Sequence, residues 1–600
     1  MTDASRSTDL DLGGIAEYSS PLTEYRGTRV LEPPAAFAAW TTFVSHASVR
    51  AMTVAPVSRI TWIATWAGVL AWDRRDEYAY RRYSSEHGLA GTPSCIAVAG
   101  DDRPWVGHVE GGLSFFDGGR WYPYEYLRNE RVVAIAAGAR ASLWVATPDG
   151  ILAVARDERP IGLVRGDGRC SGASALLDDN GAVLVASAAG VFRASERTGV
   201  ERFGDAMLRE CTAILRTTDG RVVVGSTKGI TFPDGFRIAT DDGDPAIVAL
   251  AATRRGLWAL TRTGIARIEK RRWLTIDLPE GVAAPRAIAV ATPNDESLWI
   301  GTDRLVCGFH PTADPQWDVD FLPTHAEDIL SNAARCVVGD RETAYIGTSS
   351  GQFIGKSDGS WSYDAELVDV RSMITIARPG QETIWALTWP GGVVRRRVDS
   401  NEWLPVLLGR DGLPRALVTS WIGDPHVLVG STLIDLTNEP RVVSGTMPVD
   451  ARAVIHAPEQ KWFAATDRGL FELDEGEWSL VSRIGSVPIS ALGTAFVQLW
   501  VGVPGALWTW VNAEWMKFAL SYGGVAWTEP ISAITHSKRA DTLWCACGGR
   551  VARVDLATGT VLEAHDRFDS GVCGDQITGL AEIADCLWVV SRAGIARYQL

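Results

Sequence analysis

Leu143-Trp144-Val145-Ala146-Thr147-Pro148-Asp149-Gly150-Ile151-Leu152 reads as a short apolar strand, a tight turn closed by glycine, and a second apolar strand. Residues 257–265 (Leu-Trp-Ala-Leu-Thr-Arg-Thr-Gly-Ile) and 587–595 (Leu-Trp-Val-Val-Ser-Arg-Ala-Gly-Ile) have the same form. The apolar segments are short and bounded by Gly, Asp, Asn and Pro, and no amphipathic run of helical period persists beyond a turn or two. That pattern decides strand over helix.

Working outward, the residue at the Trp144 position marks each copy of the hairpin. The markers are Trp62, Trp105, Trp144, Leu184, Val223, Trp258, Trp299, Tyr345, Trp385, Leu428, Phe463, Trp500, Trp544 and Trp588. They recur about every 40 residues, the period of four-stranded propeller blades. An apolar segment precedes each hairpin, such as Val132-Val133-Ala134-Ile135 or Ile489-Ser490-Ala491-Leu492, and reads as an inner strand whose small residues suit a crowded axis. A polar turn and a tryptophan follow several hairpins, at Trp121, Trp361 and Trp478, and open an outer strand. Leu305 and Ile434 stand where the hairpin glycine is expected in the seventh and tenth units, so those turns differ or the register shifts there.

The form Leu-Trp-Ile/Val-Gly/Ala-Thr-x-x-Gly-Leu/Ile resembles the two-component-regulator propeller repeat. Gly-Leu loops at Glu86-His87-Gly88-Leu89 and Arg410-Asp411-Gly412-Leu413-Pro414 add to the likeness. The resemblance implies seven-bladed propellers in tandem, as in the sensor parts of membrane-spanning hybrid histidine kinases. Here neither a membrane span nor a kinase segment is found in the sequence.

The expected fold is therefore all-β: two tandem β-propellers of about seven four-stranded blades each. The organisation reads as a flexible N-terminus (1–20), a closing segment (21–47), a first propeller (48–325) and a second (326–600). The last unit runs out of residues after its third strand, whereas Ala38-Ala39-Trp40-Thr41-Thr42-Phe43-Val44 is strand-like and unassigned. An unpaired edge is a liability in a ring, so this N-terminal segment is expected to supply the missing strand. Hairpin glycines such as Gly68, Gly150, Gly229, Gly264, Gly351, Gly469 and Gly594 are expected at positive φ.

Composition narrows the function. A net charge of −14 without any Lys/Arg run longer than three argues against nucleic acid as a partner. No stretch of about 18 apolar residues is present, so no membrane association is expected. Nine scattered cysteines are not a secreted disulfide framework, and a cytoplasmic location is the expectation.

Chemistry-bearing patterns are sparse. The nine histidines fall in different repeats with no paired metal motif, and His456 and His536 at the ends of inner strands are the mild hint of a shared site. Cys545-Ala546-Cys547 puts two thiols on one strand face, which suits apolar packing better than zinc. Asp241-Asp242-Gly243-Asp244 lacks the full calcium-loop pattern and reads as a solvated turn. No nucleophile elbow or phosphate-binding loop occurs. Neither a catalytic residue nor a metal or other cofactor is expected.

The marker tryptophans read as packing. Trp66 (Thr65-Trp66-Ala67-Gly68) and Trp389 (Thr388-Trp389-Pro390-Gly391) break the pattern, because they occupy the turn itself, where other units carry small or charged residues. A ring in a turn has few blade atoms to cover it and is a candidate binding anchor. The functional expectation is a non-catalytic binding or sensing module, or a scaffold, within a bacterial signalling or defence-type multi-protein system. Its partner is expected to be a protein, or a small ligand. The alternative is a propeller lyase or hydrolase with its site on a ring axis.

Overall fold

The computed structural model describes residues 29–31 and 35–600 apart from short stretches, the longest being 74–78, 239–245, 279–284, 291–296, 311–315 and 322–330. The mobile N-terminus expected over 1–20, the Asp241–Asp244 turn and the boundary near 325 lie outside the described residues.

Fourteen antiparallel blades make up the fold, and the helical elements among the described residues are single short turns. Numbered along the chain, the blades cover 49–83, 93–123, 134–165, 173–202, 211–238, 247–276, 287–321, 334–364, 370–405, 414–442, 453–480, 491–519, 531–565 and 577–599. Thirteen of them follow one order, inner to outer, and blade 14 draws its fourth strand from Trp40–Phe43. No helix among the described residues is long and apolar enough to cross a membrane.

Each inner strand lies beside that of the next blade. The inner strand of blade 7 also lies beside that of blade 1, and that of blade 14 beside that of blade 8. Two cycles of seven result. Small residues make the close approach work: a Cβ on Gly301 would sit 2.4 Å from Val49, and one on Gly355 would sit 2.4 Å from the Trp588 ring.

The core lies between blades. The marker tryptophans are all buried, and each packs onto the neighbouring blade. Trp144 donates its indole N–H to Asp178 Oδ1 of the next blade at 2.7 Å, and Trp544 does the same to Glu582 Oε2 at 3.0 Å. These bonds give buried indoles the partner that burial demands. Cys545 and Cys547 do lie on one strand face, within the same apolar cluster, and form no disulfide.

The hairpin turn carries its own cap. The last residue of the second strand is usually Thr or Ser, and its hydroxyl donates to the carbonyl of the residue at, or just before, the start of the third strand. Thr65 does so to Gly68 at 2.9 Å, Thr348 to Gly351 at 2.9 Å and Thr466 to Gly469 at 2.9 Å. Five of the seven glycines named above have positive φ, from 107° at Gly229 to 158° at Gly351, whereas Gly68 and Gly264 do not. Gly68 is needed for space: a Cβ there would lie 2.1 Å from the Tyr83 carbonyl oxygen and 2.8 Å from His46 Nε2.

The tenth unit corrects the sequence register. Val429 pairs with Thr432 across a turn of Gly430 and Ser431, and His426 pairs with Asp435. His426, not Leu428, therefore holds the marker place, and Thr432, not Ile434, holds the glycine place. The His426 ring packs 4.7 Å from the Trp462 ring of blade 11, as a tryptophan would. The seventh unit keeps its register, with Leu305 opening the third strand.

Candidate functional site

The hairpin turns and the blade-to-blade connections share one face of each ring, because both leave the sheet at the same end of its strands. Trp66 and Trp389 sit on this face, in blades 1 and 9, and are 42% and 38% exposed. Each carries an arginine from its own blade: the Arg50 guanidinium lies 4.6 Å from the centre of the Trp66 ring, and Arg371 lies 4.5 Å from that of Trp389. A guanidinium over an indole at this distance is a cation–π pair, worth about 0.5–1 kcal/mol when exposed. The pair restrains a ring that stays partly exposed.

The two arginines occupy the same structural position. Where the inner strand begins, the pairing register slips by one residue, between Val49 and Ala51 in blade 1 and between Val370 and Ser372 in blade 9. A bulge re-aims the extra side chain, here toward the first residue of the hairpin turn in the same blade. Arg452 obeys the same rule, reaching Asp467 at 2.6 Å. In several blades with a hydroxyl at this position the side chain ties the blades together instead, whereas Ser94 and Ser490 bond the Gly107 and Gly502 carbonyls of their own blades. Ser174 donates to the Cys211 carbonyl at 2.6 Å, Thr212 to that of Ile247 at 2.6 Å, and Thr578 to that of Ala334 at 2.9 Å.

Trp389 has a further setting. Its amide N–H donates to the Asp369 carbonyl at 3.1 Å. The Asp369 carboxylate accepts from Arg371 at 3.0 Å and pairs with Arg335 of blade 8. Trp66 lies instead beside the junction of the rings, since its neighbour Ala67 is buried in an apolar cluster with Val572, Cys573 and Ala593 of the second ring.

That junction joins the same face of each ring, blades 1 and 2 against blades 13 and 14. Arg567, 6% exposed, leaves the blade 13–14 connection and donates to the carbonyls of Ala90 (3.0 Å) and Gly111 (2.8 Å) in the first ring. The Phe568 ring lies 4.3 Å from the Arg128 guanidinium. His108 lies beneath, fully buried, with Nε2 2.8 Å from the Ser114 hydroxyl oxygen. Burial first, and the Arg567 charge second, pull its pKa down to about 3, so it is neutral at ordinary pH. The Gly-Leu loop also takes part: the Glu86 carboxylate accepts from the Thr42 amide at 3.0 Å, and its carbonyl accepts from the Ala36 amide at 2.7 Å.

His426 and His456 both pack against the Trp462 ring. His456 and His536 end the inner strands of blades 11 and 13, at the end opposite the hairpin turns. The ring of His456 lies 4.6 Å from the Trp462 ring, and its Nδ1 accepts from the Trp421 amide at 2.9 Å. Among the described residues no group of three or more His, Cys, Asp or Glu is placed to hold a metal ion. A cavity of about 680 Å³ between blades 5 and 6 is lined by Asp219, Arg221, Phe232, Phe236 and Arg254 among others, with no histidine or cysteine in its wall.

Sequence reading located the two turn tryptophans and missed their arginines. Aligning the repeats exposes the signal: Ala334-Arg335-Cys336, Val370-Arg371-Ser372, Pro414-Arg415-Ala416 and Ala451-Arg452-Ala453 stand where other units have Ile489-Ser490-Ala491 or Ile577-Thr578-Gly579.

No family model matches the chain, and no curated protein matches it. Solved structures do. PorZ, a surface component of the type-IX secretion system of Porphyromonas gingivalis, aligns with a TM-score of 0.65 at 12% identity, over 93% of this chain and 87% of its own. The GH74 enzyme of Niastella koreensis aligns at 0.56 and 9% identity, over 93% of this chain and 99% of its own. The extracellular domain of the hybrid two-component system BT3049 of B. thetaiotaomicron aligns at 0.37 and 14% identity, over 92% and 82%. At these identities the first two likenesses establish the shared propeller fold, which serves both a secretion component and an enzyme.

Proposed function

We propose that this chain is a non-catalytic binding or sensing module of the two-component-regulator propeller type, and that it engages a protein partner through the face bearing the hairpin turns. The observation that carries the reading is the pair of exposed turn tryptophans, one in each ring, each backed by a bulge arginine. Exposed aromatic rings held rigid beside arginine are the residue types that dominate binding energy at interfaces. The fourteen hairpins in register support the family reading, and the thiols, none of them in a disulfide, support a cytoplasmic location. The role within a bacterial signalling or defence-type assembly goes with that reading.

The test is affinity capture from the native host with the wild-type chain and with Trp66→Ala/Trp389→Ala. The double variant is expected to keep its melting temperature and lose the captured partner. Equal capture by both chains, or loss of stability with capture intact, assigns the two rings to packing and discards the reading.

A further inference from the structure

The bulge position is not filled evenly around the rings. In the second ring it carries Arg335, Arg371, Arg415 and Arg452 in four consecutive blades, 8 to 11, and then Ser490, Ser532 and Thr578 in blades 12 to 14. In blades 11 and 12, Arg452 and Ser490 are identified by the same backbone bond, their amides donating to Ala465 and Gly502. Four arginines thus stand at the inner-strand starts of four successive blades, a crescent on the turn face. Blades 9 to 11 of the crescent are separated from blades 13 and 14, the ones that meet the first ring, by blade 8 on one side and blade 12 on the other.

Arg371, Arg415 and Arg452 are exposed, and Arg335 is partly so. Two carboxylates of the chain already sit among them. Asp369 bridges Arg335 and Arg371, and Asp467 pairs with Arg452. The four arginines outnumber the two carboxylates paired with them, within a chain of net charge −14. Bulges are re-aimed positions, and placing the same cation at four of them in a row concentrates charge on that face. Apolar side chains interleave with it: Val368, Trp389 and Leu413, on the connections and turn of the same blades, are all exposed. An inorganic anion has no use for them. A peptide that alternates carboxylates with apolar side chains matches both components, the guanidinium forks taking carboxylates in bidentate pairs and the apolar residues covering Val368, Trp389 and Leu413.

We infer that the arginine crescent of blades 8–11 is a docking site for an acidic peptide segment of a protein partner. The inference rests on the binding reading given above and specifies the partner's chemistry. Asp369 is the internal model for the ligand, a carboxylate held between guanidinium groups of adjacent blades.

The experiment uses the full chain and a short labelled peptide rich in glutamate with interspersed leucine, followed by fluorescence anisotropy at low salt. The peptide is expected to bind, to weaken about tenfold as salt rises through the range where the Debye length falls below about 10 Å, and to lose binding at least about tenfold in Arg415→Glu/Arg452→Glu. Both side chains are exposed, so the melting temperature of that variant should stay unchanged. Arg397→Glu, on the same ring but at the other end of its blade, should bind as wild type. Absence of peptide binding at low salt overturns the inference. So does equal weakening by Arg397→Glu, or binding of tripolyphosphate where the glutamate peptide does not bind. The two readings fail separately. Tryptophan-dependent capture without peptide binding discards the crescent and keeps the face. Peptide binding without tryptophan-dependent capture keeps the crescent and discards the tryptophans.

Discussion

The two rings are built from the same blade but close differently. In the first ring, blade 7 packs on blade 1 through side chains and one backbone bond. Trp72 and Trp299 lie 4.6 Å apart, and the Val49 amide donates to the Thr302 carbonyl at 2.9 Å. In the second ring the last blade has three strands of its own, and Trp40–Phe43 pairs antiparallel with Gly594–Gln599 to complete it. Trp40 stacks on Tyr598 at 4.7 Å, and Phe43 stacks on Trp588 at 5.8 Å. The chain then crosses at Ser45, whose amide and carbonyl both bond the Asn332 side chain, at 2.6 and 2.9 Å. A ring closed by a strand from the opposite end of the chain is hydrogen-bonded shut, and the same strand ties it to its neighbour. The ring closed by packing depends chiefly on side-chain volume, with that one backbone bond beside it. The comparison therefore predicts unequal responses of the two rings to the same class of change.

Removing residues 1–47 should have the largest effect. Losing one buried Trp or Phe costs about 3–5 kcal/mol, and this truncation removes both along with a strand. The second ring should then melt well below the first, giving two calorimetric transitions. Removing only residues 1–32, which deletes the parallel strand Arg29–Leu31 added to the outside of blade 1, should leave the main transition nearly in place. Equal melting of the two truncations breaks the comparison.

Next comes Arg567→Ala. It leaves the carbonyls of Ala90 and Gly111 without their donor at the ring junction, a cost of about 3 kcal/mol. Because the loss falls on the contact and not within a ring, the expected readout is separate melting of two intact rings. A single transition at the wild-type temperature contradicts it.

His108 sharpens the junction further. A histidine free in the unfolded chain ionises near 6.5, whereas His108 stays neutral down to about 3 when folded. Between these values the unfolded state binds the extra proton. The stability it contributes is complete above about 6.5 and is lost as pH falls toward 3, by at most about 1.4 kcal/mol per pH unit. His108→Gln should flatten the acid limb of the stability profile. A profile identical to wild type excludes His108 from it.

The smallest stability effects belong to the turn tryptophans. Trp66→Ala and Trp389→Ala should each cost less than about 1 kcal/mol, because each ring is exposed in a surface turn and holds a cation–π contact of that size. A loss of several kcal/mol at either position in thermal unfolding would make that ring part of the core.

The repeat, the strand count and the buried markers were legible because the hairpin has a fixed period and a fixed set of turn residues. The tenth unit was not, because a histidine stands in the tryptophan place and the glycine lies inside the turn at Gly430, so the apolar run Val427-Leu428-Val429 offered two registers. Trp66 and Trp389 were visible as misfits in a repeat. Their arginines were not, because a bulge breaks the two-residue alternation that assigns a side chain to a face, and a lone Arg at a strand start carries no signal until the units are stacked. Arg567 and His108 were invisible for another reason: their meaning comes from a contact between residues more than four hundred positions apart.

The proposed working surface is the turn-bearing face. Hydrogen–deuterium exchange of the full chain with and without its captured partner tests this most directly. The account predicts slowed exchange at the turns around Trp66 and Trp389 and at the inner-strand starts of blades 8 to 11. Slowed exchange confined to the opposite face, or to the outer strands, with those turns unchanged, would contradict it.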